Sequence, residues 1–286
     1  MSSDLMARVN DKFVTVDGLK LRYIEKGEGP PVLLLHGASL GSSADVFIRN
    51  LEPLARAGFR AIAFDQPGFG LSDVPADHSA AYRRDIVPQF MDALGLKQAA
   101  LVGHSQAGNP AVQLALKEPG RYTHIVVLGT GSLLPPLDGA GEDRSAAVQQ
   151  RLERRMAEAE PTIADTRKLL EANLFHHDLI TPEELALRHA RSIGRNFEAF
   201  VARNAAAEAA PPKEPKLPIW QRLIELKVPL LLIFGRNDRA NAAERATLLK
   251  QKYPQLDVHI VDDCKHLVPW DAADQFIQLA VPFLKS

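Results

Sequence analysis

Short apolar runs, each closed by small or charged residues, recur along the chain. Pro31–Leu35 ends in His36-Gly37-Ala38-Ser39, Arg60–Phe64 in Asp65-Gln66-Pro67-Gly68-Phe69-Gly70, and Ala99–Val102 in Gly103-His104-Ser105. His124–Leu128 and Pro229–Phe234 repeat the pattern, and Leu256–Val261 repeats it with polar residues interleaved. Continuous apolar runs of this length predict strands covered on both faces. Ahead of them, Phe13–Val16 and Leu19–Ile24 alternate in polarity about Asp17-Gly18, which predicts a hairpin. The stretches near Phe47–Leu54, Ala80–Leu94, Pro110–Leu116, Ala242–Lys252 and Asp271–Leu284 read as helices. Strand and helix in alternation predict an α/β fold: a mostly parallel sheet covered by helices, with right-handed crossovers.

The alternation breaks at Gly129. Beyond Leu133 the chain reads as helical: Val148, Leu152 and Met156 share one face of a charged helix. Thr181-Pro182-Glu183-Glu184 combines the capping-box spacing with a proline at the first helical position. Pro211–Pro218 reads as an extended return segment. The predicted division is a core in two parts, residues 1–132 and 228–286, with a helical cap inserted at 133–227. No internal repeat is present.

Composition narrows the function classes. A chain of 286 residues, 46% of them hydrophobic, can bury the core of one large domain. Its 34 basic and 35 acidic side chains leave a formal charge of -1, so neither nucleic acid nor an anionic membrane is an expected partner. Met1–Asn10 has no apolar stretch of signal-peptide length, and no run approaches a membrane span. The single cysteine, Cys264, fits a reducing compartment, and a cytoplasmic protein is the expectation. His176 and His177 are adjacent and would diverge on a helix, so no metal site is expected. A homo-oligomer is left open.

The chemistry is predicted to centre on Ser105. A serine on a tight strand-to-helix turn, boxed by small residues, is a nucleophile elbow; Ala107 stands where the strict pattern has glycine, with Gly108 one place later. Serine needs a general base near neutral pH, and an imidazole oriented by a carboxylate supplies one. His266 and Asp238 follow the last two predicted strands, in the order this architecture uses. Backbone N–H groups of Ala38 and Gln106 are the expected oxyanion donors. His36 and His104 read as structural, with the His104 side chain pointing away from the serine, and Cys264 as a small buried residue.

These residues together resemble the α/β-hydrolase superfamily: His36-Gly37, the Asp65–Gly70 turn, Gly103-His104-Ser105-Gln106, Gly235-Arg236-Asn237-Asp238 and His266. The resemblance runs from about Phe13 to Leu284. Trp220–Asp238 also resembles the meta-cleavage product hydrolases, which cut carbon–carbon bonds in ring-fission dienoates. That family usually has asparagine before the serine, a glycine-rich run after His-Gly, and glycine before the histidine; here those places hold His104, Ala38-Ser39 and Lys265. Its cap arginine for the substrate carboxylate would correspond to Arg191 or Arg195. A histidine before the serine is commoner among carboxylesterases. The expectation is therefore a cofactor-independent serine hydrolase of a small carboxylic ester. A carbon–carbon hydrolase of a 2-hydroxy-6-oxo-dienoate is the alternative, and a non-catalytic ligand receptor on the same fold the second alternative.

Overall fold

The computed structural model describes residues 9–137, 155–210 and 217–286. Their sheet has eight strands: β1 (Lys12–Val16), β2 (Leu19–Lys26), β3 (Pro31–Leu35), β4 (Arg60–Phe64), β5 (Ala99–His104), β6 (Tyr122–Leu128), β7 (Leu230–Gly235) and β8 (Asp257–Val261). They lie in the order β1-β2-β4-β3-β5-β6-β7-β8. β2 pairs antiparallel with both β1 and β4, and every later pairing is parallel. The first hairpin turns at Asp17 and Gly18, both at positive φ, as a two-residue turn with this twist requires.

Helices α1 (Ile48–Arg56), α2 (Ala80–Ala93) and α3 (Gly108–Lys117) connect the earlier strands. Between β6 and β7 the described residues are helical, with α4 (Ile163–Asn173), α5 (Pro182–Ala190) and α6 (Arg195–Glu208). α7 (Ala242–Lys252), α8 (Val268–Asp271) and α9 (Ala273–Leu284) complete the core. The predicted last helix is α9, and α8 is a separate short helix ahead of it, set off at Ala272, whose φ of -127° and ψ of 38° are not helical. Val148, Leu152 and Pro211–Lys216 lie outside the described residues; Met156 is buried.

The core sits on both faces of the sheet, and strand alternation sorts it. Leu33, Leu35, Leu101, Val127 and Leu232 join one cluster, while Val32, Leu34, Val102, Val126 and Ile233 join the other. Both faces are covered along the central strands, so runs such as Val32–Leu35 and Leu230–Phe234 are apolar throughout. Thr181 caps α5 by accepting from the Glu184 N–H at 3.3 Å, but the Glu184 carboxylate is ion-paired with Arg49 at 2.5 Å. The capping-box sequence therefore supplies the hydroxyl half of its motif and a core tether in place of the other half.

β3 and β5 are neighbours, with β4 beyond β3 and β6 beyond β5. Connections leave this point in opposite directions, which opens a crevice at the carboxyl ends of the two strands. The turns after Leu35 and His104 meet there. Among the described residues no helix is long and apolar enough to cross a membrane.

Candidate active site

Ser105 follows β5 at φ +56°, a left-handed conformation that costs a non-glycine residue on the order of 1–3 kcal/mol. The surrounding contacts hold it there. Thr130 donates its hydroxyl to the Ser105 carbonyl at 2.6 Å. A Cβ on Gly103 would lie 2.7 Å from both the Ala107 carbonyl oxygen and the Gly108 Cα, and one on Gly108 would strike the Thr130 hydroxyl. The second steric demand of the elbow therefore falls on Gly108, which explains why position 107 tolerates alanine.

The Ser105 hydroxyl donates to His266 Nε2 at 2.8 Å, and His266 Nδ1 donates to Asp238 at 3.0 and 3.1 Å. The carboxylate fixes the tautomer: with Nδ1 protonated, Nε2 is free to take the serine proton. Burial pushes the Asp238 carboxyl up, but His266 and then Arg239, whose N–H donates to it at 2.8 Å, hold it below its ordinary value. Gly129, past β6 at φ +61°, keeps space open between these groups. A Cβ there would lie 3.2 Å from the His266 carbonyl oxygen and 3.5 Å from an Asp238 oxygen.

The loop carrying His266 is fixed from two sides. Asp271 accepts the N–H groups of Lys265 at 2.9 Å, Phe175 at 2.8 Å and His176 at 3.0 Å. On the other side His104 Nε2 lies 2.9 Å from the His266 carbonyl oxygen. A carbonyl only accepts, so Nε2 carries the proton, and burial drops the His104 pKa to about 3. The side chain avoids the serine hydroxyl, as expected, but it also positions the triad histidine, which sequence reasoning missed.

His36 is a fully satisfied neutral ring. Nδ1 donates to the Gly37 carbonyl at 2.6 Å, Nε2 accepts from the Gln66 N–H at 3.0 Å, and burial drops its pKa to about 3. It shapes the turn that presents Ala38. Gly37 approaches the nucleophile so closely that a Cβ would sit 2.9 Å from Ser105 Cβ. Ala38 and Gln106 line one cavity of about 40 Å³ together with His36, Gly37 and Arg83. Gln106 is the second residue of a short 3-10 turn, so its N–H has no partner within that turn.

The two arginines expected to face the substrate are placed differently from each other. Arg195 is exposed at the first position of α6, and Arg191 donates its Nε to Asp45 at 3.2 Å. One turn before Arg191, Arg188 donates to the Ser39 hydroxyl at 3.1 Å and the Leu40 carbonyl at 2.9 Å, beside the Ala38 turn. Its buried Nε has no hydrogen-bond partner, it forms no ion pair among the described residues, and burial lowers its pKa to about 10. Arg188 and Arg191 share the lining of a cavity of about 20 Å³ with Glu184 and Trp270. The only sequence signal for Arg188 was its i, i+3 spacing from Arg191. Among the described residues no His, Cys, Asp and Glu group could hold a metal ion.

A serine on a strained elbow after the fifth strand, hydrogen-bonded through histidine to a carboxylate after the seventh, defines a serine hydrolase on an α/β sheet. The chain belongs to the alpha/beta hydrolase fold family, whose model matches residues 30–273. It is 30% identical to a 2-hydroxy-6-oxo-6-phenylhexa-2,4-dienoate hydrolase of Burkholderia cepacia, over 99% of each chain. It is 32% identical to a 2-hydroxy-6-oxononadienedioate/2-hydroxy-6-oxononatrienedioate hydrolase of Burkholderia vietnamiensis, over 96% of this chain and 95% of that one. The solved meta-cleavage product hydrolase of Pseudomonas fluorescens superposes with a TM-score of 0.76 at 25% identity, over 96% and 97% of the two chains.

Proposed function

We propose that this chain hydrolyses a carbon–carbon bond in a 2-hydroxy-6-oxo-dienoate, with residues 133–227 as the cap. This reverses the ranking drawn from the sequence, where His104 favoured an ester. His104 is occupied in holding the His266 loop, so its identity carries no information about the substrate. The relatives' names support the dienoate, and one observation carries the reading: Arg188, a cation from the cap that forms no ion pair among the described residues and feels only the field of Asp45, already bonded to Arg22 and Arg191, stands beside the oxyanion turn. A guanidinium in that position suits the C1 carboxylate and the neighbouring C2 oxygen of a dienoate, whereas a simple ester gives it nothing to bind.

Carbon–carbon cleavage needs an electron sink. Transfer of the 2-hydroxyl proton to C5 gives a 2-keto tautomer, in which C5 is conjugated through the C3–C4 double bond to the C2 carbonyl. Ser105 Oγ then bonds to C6 as its proton passes to His266, and the C6 oxyanion rests on the Ala38 and Gln106 N–H groups. Collapse breaks the C5–C6 bond; the pair moves onto the C2 oxygen, and His266 returns the proton to the dienolate. Water, deprotonated by His266, attacks the acyl-serine at C6; as the Oγ–C6 bond breaks, His266 returns that proton to Oγ and the carboxylic acid leaves. Asp238 orients the imidazole and stabilises its charged form throughout.

Side-by-side turnover decides the matter. The 2-hydroxy-6-oxo-6-phenyl dienoate, followed by loss of its visible absorbance, is expected to exceed a short p-nitrophenyl ester in kcat/KM by orders of magnitude. The opposite order overturns the assignment. A receptor without turnover would show neither activity and no fluorophosphonate adduct on Ser105.

A further inference from the structure

α4 ends against the chain that carries the acid and the base. Its last residue, Asn173, is only 6% exposed, so its polar atoms need protein partners. The amide Nδ2 donates to the Leu169 carbonyl at 2.7 Å, Oδ1 accepts from a guanidinium N–H of Arg239, and the backbone carbonyl accepts from the Leu267 N–H at 3.1 Å. An arginine only donates and a carbonyl only accepts, so the amide orientation is fixed. Arg239 follows Asp238 in the chain, and Leu267 follows His266. Asn173 therefore grips the chain immediately past each of the groups that activate Ser105. Lys265, on the other side of His266, joins the same helix end: its Nζ donates at 3.0 Å to the Glu171 carbonyl, one of those a helix terminus leaves unpaired.

The Arg239 contact has a second consequence. The Arg239 backbone N–H donates to Asp238 at 2.8 Å, and its guanidinium is a charge whose field reaches that carboxylate, yet among the described residues the two form no ion pair. The neutral Asn173 amide holds the guanidinium instead. An arginine bonded to Asp238 would compete for the oxygens that orient His266, and would offset the negative charge that stabilises the imidazolium. We infer that Asn173 is a positioning residue for the hydrolysis: it fixes the acid and base loops relative to each other and keeps the Arg239 guanidinium off Asp238. The inference rests on Ser105, His266 and Asp238 acting as the catalytic triad, and not on which substrate they cleave.

Nucleophile activation can be read without the substrate, as the second-order rate of Ser105 phosphonylation by a fluorophosphonate, counted per folded protein. Asn173→Leu nearly conserves volume and removes both amide bonds, and its rate is expected to fall at least about tenfold. Asn173→Ser, too short to hold Arg239, gives the same reading if the leucine variant does not fold. Adding Arg239→Gln removes the freed guanidinium, so the Asn173→Leu/Arg239→Gln double variant is expected to label at least about threefold faster than Asn173→Leu. In turnover of the dienoate, the loss in Asn173→Leu should lie in kcat, with KM within about twofold of the parent. A merely structural asparagine would lower the unfolding midpoint and leave the labelling rate of the folded protein unchanged, and that result overturns the inference. So does a double variant no faster than Asn173→Leu. If the parent itself takes no adduct on Ser105, the triad has failed, and the inference with it; an adduct without dienoate cleavage removes only the substrate assignment, and the labelling rates still decide the role of Asn173.

Discussion

His104 and His266 are joined by a 2.9 Å hydrogen bond from a ring nitrogen to a backbone carbonyl, which makes the residue before the nucleophile part of the scaffold that aims the base. His104→Ala leaves that carbonyl buried without its donor, at a cost of about 1–3 kcal/mol in stability. The expected kinetic signature is a fall of roughly tenfold in kcat with little change in KM, since the lost contact orients His266 and not the substrate. His104→Asn, which restores an N–H, should recover part of it.

Removing the nucleophile separates chemistry from folding. Ser105→Ala is expected to lose at least about 10⁴-fold in kcat/KM while binding of dienoate persists. Its thermal midpoint should stay close to that of the parent, because the substituted alanine meets the same left-handed backbone as the serine it replaces. Residual hydrolysis near the parent rate would remove Ser105 from the mechanism.

Arg188→Lys retains the charge but loses the planar fork that matches a carboxylate. The expected loss is roughly 10–100-fold in dienoate kcat/KM. Arg195→Gln, on an exposed position, should stay within about twofold, an outcome that pits the two arginines directly against each other.

The elbow's packing gives a stability test. Gly103→Ala places a methyl against the backbone of Ala107 and Gly108, which cannot move aside as a side-chain tip can. A loss of about 1–3 kcal/mol in urea unfolding is expected, together with lower activity as Ser105 shifts.

His36 and His104 make the protein acid-sensitive. Each has a folded pKa of about 3 against an ordinary 6.5, so the unfolded chain binds protons that the folded one refuses. Stability therefore falls as pH drops from about 6.5 towards 3, by about 2 kcal/mol per histidine at pH 5. Asp65, pushed up to about 6 by burial despite Arg22, acts in the opposite sense between about 3.8 and 6. The clean observable is thus a difference: the unfolding midpoint of His104→Asn should depend less on pH between 7 and 5 than that of the parent.

How far the sequence reached depended on distance. Strand identities, the hairpin turn at Asp17-Gly18 and the order of Ser105, Asp238 and His266 are local patterns, and the fold follows from them. Arg188, Arg191 and Arg195 share helical spacing, yet α5 ends at Ala190 and Gly194, at φ +57°, starts α6 in a new direction. Spacing could not say which of the three turns inward. The tasks of Asp271 and His104 likewise lie in contacts with chain about 95 and 162 residues away, where no periodicity reaches.

Asp45 gives its two carboxylate oxygens to arginines of different origin: Arg22 of the core at 2.7 Å and Arg191, just past α5, at 3.2 Å. Swapping in a foreign helical block between β6 and β7 to change what this hydrolase accepts would discard Arg191 and leave Asp45 half neutralised inside the seam. The insertion is therefore not an interchangeable cassette. A working chimera has to carry an arginine at the end of that helix, or trade Asp45 at the same time, and graft libraries should be filtered on that charge before they are screened for new substrates.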